Sequence, residues 1–128
     1  MALFDMREPQ KIEKRVNDPV KVQQDIIRTR ISYLRKKLLV HSIIYYRLNE
    51  SLISDAQWSK WAVQLEELTA QYPNLAEEAM LSEEFKDFDH STGYNLPLET
   101  PWAVDMALYL VKMHKKYGTR WMEAPNRQ

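Results

Sequence analysis

A chain of 128 residues without cysteine, holding 18 basic and 18 acidic side chains, excludes disulfide scaffolds, thiolate metal sites and cysteine nucleophiles, and is long enough to bury a core without staples. The amino-terminal stretch has no signal-peptide core, and no window reaches the roughly 18 apolar residues of a membrane span. A single-domain cytoplasmic protein is expected, with no membrane association and no cofactor required for folding.

The charge is sorted along the chain. Residues 1–47 carry eleven Lys or Arg against five acids (+6), residues 48–105 two against twelve (−10), and residues 106–128 five against one (+4). Basic ends folding against an acidic middle would explain this. So would an exposed basic face, formed by Arg28, Arg30, Arg35, Lys36 and Lys37, that meets nucleic acid or an acidic partner. A pI near 6.8 argues against a dedicated DNA binder.

Two glycines in the whole chain and no strictly alternating β-branched runs predict an all-α fold. The first helix starts at Asp18 and Pro19, a cap followed by a proline whose missing N–H is not needed there. Ile27, Ile31, Leu34, Leu38, His41, Tyr45 and Leu48 then recur at steps of three and four, one face of a helix of about 30 residues and about 45 Å. Its basic amino-terminal part must overhang the second helix or find another partner.

The second helix starts at Ser54, which has capping-box spacing to Gln57, while Ile53 and Trp58 match a hydrophobic staple. Trp58, Trp61, Ala62, Leu65, Leu68, Thr69 and Tyr72 form its inner stripe, and Pro73 ends it. With only residues 49–53 between them, the two helices form an antiparallel hairpin. A short acidic helix is expected from about Leu75 to Phe85. Residues 86–99 read as a loop, since Asp, Ser, Thr, Gly, Asn and Pro crowd together. Thr100 and Pro101 open a carboxy-terminal helix with Val104, Leu108, Val111 and His114 or Lys115 inward, closed by Gly118. The domain thus runs over 19–118, between tails at 1–18 and 119–128.

Candidate chemistry is sparse. His41, His90 and His114 fall on separate segments and none has a helical i, i+4 partner, so no metal site is indicated. His41 reads as a core histidine. Asp87, Asp89 and His90 hint weakly at a cation or phosphate loop that ordinary turn chemistry explains as well. No phosphate loop, nucleophile elbow or paired catalytic carboxylates occur.

Residues 41–73, HSIIYYRLNESLISDAQWSKWAVQLEELTAQYP, hold a histidine, paired tyrosines, an acidic turn, Ile-Ser-Asp, an aromatic four positions into the next helix, and Glu-Leu before a proline. In this order and without gaps the segment resembles the N-terminal helical domain of bacterial NAD-dependent DNA ligases. The resemblance implies that Tyr45 and Tyr46 hold the ring and phosphate side of a nicotinamide mononucleotide, and that Asp55 faces the ribose or nicotinamide. It also implies that Trp58 replaces the family's second tyrosine, and that Ser59 stands where the family has aspartate. The adenylated Lys-x-Asp-Gly motif does not occur, and the chain has no room for the other ligase domains, so no catalytic residue and no enzyme activity are expected. The stretch Asp87–Pro97, with DFD, STG and LP, is similar to small stand-alone phage and prophage proteins.

Two functions follow as expectations. One is a phage module that binds NAD, NMN or an NAD-derived signal and counters host defence. The other is an interaction protein that keeps the fold without the site. That protein would engage a host protein, a second copy of itself or nucleic acid through the basic face.

Overall fold

The local start signals set the element boundaries in a computed structural model that describes residues 18–118. Helix α1 spans Pro19–Tyr46, α2 Asp55–Gln71, α3 Pro73–Glu78 and α4 Pro101–Tyr117, and no strand occurs among the described residues. The fold is all-α with a long first helix. Both expected tails lie outside the described residues, apart from Asp18. No helix among the described residues is long and apolar enough to cross a membrane.

Helix α1 is the spine. Asp18 Oδ1 accepts from the amides of Val20 (3.1 Å) and Lys21 (3.2 Å), with Pro19 in the first turn, which satisfies donors that no carbonyl can reach. Ile27, Ile31, Leu34 and Leu38 are buried as one stripe, and from Leu38 to Ile44 the helix is buried on every side. Ile31, Leu38, Leu39 and Ile43 are fully enclosed, each contributing about 1.5–3 kcal/mol through burial of its side chain. The stripe ends there: Tyr45, predicted inward, is 54% exposed. Beyond Tyr46 the amides of Leu48 and Glu50 reach back to Ile43 and Ile44 carbonyls, with Asn49 at φ 56°, a left-handed residue that turns the chain.

Helix α2 returns antiparallel to α1. The pairs Ser42/Trp58, His41/Trp61 and Lys37/Trp61 run in opposite sense along the two helices. Ser54 Oγ accepts from the Gln57 amide at 3.0 Å, as the capping spacing predicts. Ala62 and Leu65 are buried, and Trp58, Trp61, Leu68 and Tyr72 pack partly buried against the core.

The acidic helix is shorter than expected. It stops at Glu78, Ala79 is extended, and residues 80–87 are turns with Leu81 at φ 63°. Long-range hydrogen bonds end it. Arg35 Nη1 donates to the Ala76 (3.0 Å) and Met80 (2.9 Å) carbonyls, and the Met80 amide donates to Ser32 Oγ at 3.0 Å. This corrects the reading of Arg35 as part of an exposed basic face: it is 4% exposed, and its guanidinium lies 6.0 Å from the Phe85 ring centroid.

Helix α4 meets α1 through Ala103 and Ala107, both fully buried, with Val104, Leu110 and Val111 beside them. Leu108, predicted inward, is 51% exposed. The inward face of α4 is centred on Ala103 and Ala107, which leaves Leu108 outside it. Thr100 does not cap with its side chain; its hydroxyl donates to the Pro97 carbonyl at 2.7 Å. Gly118, at φ 72°, closes the helix.

Basic ends do meet the acidic middle. Arg28 pairs with Glu78 at 2.7 Å as well as with Asp25, Arg47 with Glu99 at 3.3 Å, and Lys115 with Glu50 at 3.5 Å. From Arg28 to Arg35 the helix α1 is thereby tied to α3 and the turn behind it, while its first turns, with Val20 and Ile26, stay exposed.

Replacing Arg35 by Met should lower the unfolding free energy by about 2–4 kcal/mol, because the buried Ala76 carbonyl and the part-buried Met80 carbonyl lose their charged donor. Replacing the exposed Arg30 by Ala should change it by less than about 0.5 kcal/mol. Urea unfolding of the two variants beside the parent protein measures both.

Candidate functional site

The hairpin elbow is hollow. The end of α1, the turn at 51–54, the first turn of α2 and the loop at 91–93 enclose a pocket of about 250 Å³. Five residues singled out in the sequence, Tyr45, Tyr46, Asp55, Trp58 and Ser59, all line it.

Each has a distinct position. Tyr45 and Tyr46 stand at the rim, edge to face at 4.9 Å, and Tyr94 is a second edge-to-face partner of Tyr46 at 5.3 Å. The Tyr46 hydroxyl and Thr92 Oγ1 are hydrogen bonded at 3.0 Å. Trp58 forms a wall without filling the space. Its Nε1–H donates to Ser42 Oγ at 3.2 Å, and its ring packs on Phe88 at 6.1 Å. Asp55 and Ser59 are exposed at the mouth, and neither side chain has a hydrogen-bond or ion-pair partner among the described residues.

The fourth wall comes from a loop the sequence reading left out of the site. Gly93 is buried against α1 and α2, where an added Cβ would sit 2.1 Å from Ser42 Oγ and 3.0 Å from Trp58 Cζ2. Only glycine permits that approach. The loop is anchored by the Glu66 carboxylate, which accepts from the His90 amide at 2.6 Å and lies 2.9 Å from His90 Nδ1. Asp89 accepts from the Ser91 amide (2.7 Å) and hydroxyl. These bonds give His90 and Asp89 turn-forming and docking roles. No group of three or more His, Asp or Glu among the described residues is arranged to hold a metal ion.

His41 and Ser42 also line the pocket, which sequence reasoning missed. His41 is 9% exposed, its ring centroid is 5.6 Å from that of Trp61, and its buried Nδ1 has no hydrogen-bond partner among the described residues. Burial, with the Lys37 charge nearby, pushes its pKa down to about 4. Its alignment beside the tyrosines in the hairpin pattern was the available signal, but its place on the apolar stripe pointed to the core.

The basic residues do not gather into one face. Arg28 is committed to Asp25 and Glu78, Arg35 is buried, and the Lys37 ammonium lies over the Trp61 (3.9 Å) and Tyr33 (4.3 Å) rings. Arg30 remains exposed and Lys36 partly so.

Comparison with known proteins supports a ligase resemblance. Residues 24–79 match the family described as DNA ligase-like, N-terminal NAD+-binding domain. A DNA ligase of Endomicrobium trichonymphae is 40% identical over 50 residues, covering 39% of this chain. The chain spans 7% of the length of that ligase. No solved structure matches the chain. The family match contains Tyr45, Tyr46, Asp55, Trp58 and Ser59, and it ends before the 91–93 loop that completes the pocket.

Gly93→Ala should cost about 1–3 kcal/mol of stability through overpacking, with a urea midpoint shift that reports it. His41 supplies a pH signature. Its folded pKa lies below its unfolded value of about 6.5, so its contribution is complete above pH 6.5 and lost as the pH falls toward 4. Between pH 7 and pH 4.5 the parent protein should lose more stability than His41→Gln, by up to about 3 kcal/mol. Equal losses in paired denaturation curves would contradict this.

Proposed function

We propose that the elbow pocket binds the nicotinamide and ribose portion of an NAD-derived compound. The observation that carries this reading is an open pocket at the five positions where the ligase resemblance expects ligand contacts. The chemistry supports it. Aromatic walls accept a flat pyridinium by stacking and cation–π attraction, and the unpartnered Asp55 carboxylate offers a charged acceptor to a carboxamide or to ribose hydroxyls. Ser59, where the family has aspartate, still offers a hydroxyl at the same rim.

Capture without turnover fits this set of groups. No hydrogen bond joins a lining hydroxyl to His41 among the described residues, so the nucleophile–base pairing that covalent transfer uses is not assembled. Sequestering a nicotinamide compound would suit a phage accessory protein acting against an NAD-dependent host defence. That setting rests on the similarity of the DFD, STG and LP stretch to small phage and prophage proteins.

Calorimetric titration should show saturable binding of NMN at 1:1 stoichiometry and none of ADP-ribose, which lacks the pyridinium. Asp55→Ala, exposed and so expected to stay folded, should weaken NMN binding by about tenfold or more through loss of a charge-assisted hydrogen bond. Failure of NMN and nicotinamide riboside alike to bind folded protein at millimolar concentration would overturn the reading.

A further inference from the structure

We infer that the outer face of α4 pairs with the same face of a second copy of this chain, antiparallel about a two-fold axis near Tyr109. This surface is separate from the elbow, since no residue lining the pocket lies on α4.

Helix α4 packs on α1 through Ala103 and Ala107, and large apolar groups are left outside that contact. Trp102, Met106, Tyr109, Met113 and Tyr117 follow one another at steps of four, three, four and four, which lines them up as one stripe along the helix. Trp102, Met106, Tyr109 and Tyr117 are exposed, and Met113 is partly so. Their exposed parts come to on the order of 400 Å² per copy, the size of the largest patch on a typical monomer and a mark of an interaction surface. Apolar residues scattered singly over a surface carry no such meaning.

The charges beside the stripe choose its occupant. Asp105 and Lys112 are exposed on the same border of it, two turns apart, and neither has an ion-pair partner among the described residues. In an antiparallel pair like borders face each other, so Asp105 of each copy falls beside Lys112 of the other, while Met106 meets Met113 and Trp102 meets Tyr117. Two ion pairs then form per dimer, and the symmetry closes the assembly at two copies. A parallel, in-register pair gives neither charge a partner, because that border would face the side of α4 buried on α1. A pair burying about 800–1,000 Å² stands at the low end of specific interfaces, so the dimer should form at roughly 10–100 µM protein.

Sedimentation velocity of the full chain across roughly 5–500 µM, which brackets that strength, tests this. The mean mass should climb from that of one chain toward that of two. Met106→Lys, at an exposed position, places a cation on the stripe beside Lys112 of the other copy and should leave a folded monomer throughout, as circular dichroism would verify. Asp105→Lys should weaken the dimer by about fivefold or more, and adding Lys112→Asp should recover most of that loss, since the pair returns with its signs exchanged. That recovery decides the case even if Met106→Lys fails to fold. A monomer at every concentration would overturn the inference, and its co-sedimentation with anionic lipid vesicles would assign the stripe to a membrane surface instead. A dimer as tight in folded Met106→Lys as in the parent, or a charge exchange without recovery, would overturn it too. None of these outcomes bears on the pocket.

Discussion

The structure turns on the point where Trp58, Ser42 and Gly93 meet. The indole N–H of Trp58 donates to Ser42 Oγ, and the loop backbone at Gly93 presses on both side chains with no space for a Cβ. One contact therefore fixes the crossing of α1 and α2 and the position of a loop more than thirty residues away. It also holds the Trp58 ring against Phe88, out of the hollow it could otherwise fill. A wider residue at 93 or a missing hydroxyl at 42 would release the ring and the loop together. The pocket is the space left by that arrangement.

A second constraint works from the other end of α1. Buried Arg35 holds the carbonyls that end α3, and Arg28 reaches Glu78 on its outer side. The acidic segment is thereby drawn along the basic spine, and the 86–99 loop leaves it toward the elbow. Arg28 and Arg35, which read as part of a docking face in sequence, are thus structural ties, while Arg30 stays exposed. Among the described charged residues that line the pocket, Asp55 has no hydrogen-bond or ion-pair partner, and the partly exposed rings of Tyr45 and Tyr46 stand beside it at the mouth. Uncommitted polar and aromatic groups at a concave surface are the pattern of a binding site. Committed ones at a packed contact would show the opposite.

The legible parts of the fold were those set within a few residues. Asp18 with Pro19, Ser54 with Gln57, and Pro101 each mark a helix start that the coordinates place at the expected position. The five elbow positions came from the ligase resemblance, and the tight hairpin brings them together around one pocket. Errors came from long-range interactions. The acidic helix ends early because Arg35 and Ser32, over forty residues distant, take its backbone groups. Leu108 faces out because the buried face of α4 is centred on Ala103 and Ala107, which the pattern of large apolar residues does not mark. Gly93 gave no local sign that its lack of a side chain, more than its turn chemistry, was the requirement. His41 belongs to both core and pocket, and periodicity reports only the first.

The central claim is that the aromatic elbow is an open receptor and not a packed helix contact. Amide and indole NMR of 15N-labelled protein during titration with nicotinamide riboside tests it most directly, with the Trp58 indole signal assigned by its loss in Trp58→Phe. Saturable shifts confined to the Trp58 indole and to the amides of Tyr45, Tyr46, Asp55 and Gly93 are predicted. Unchanged signals at those positions through millimolar ligand, or shifts centred elsewhere on the protein, would contradict it.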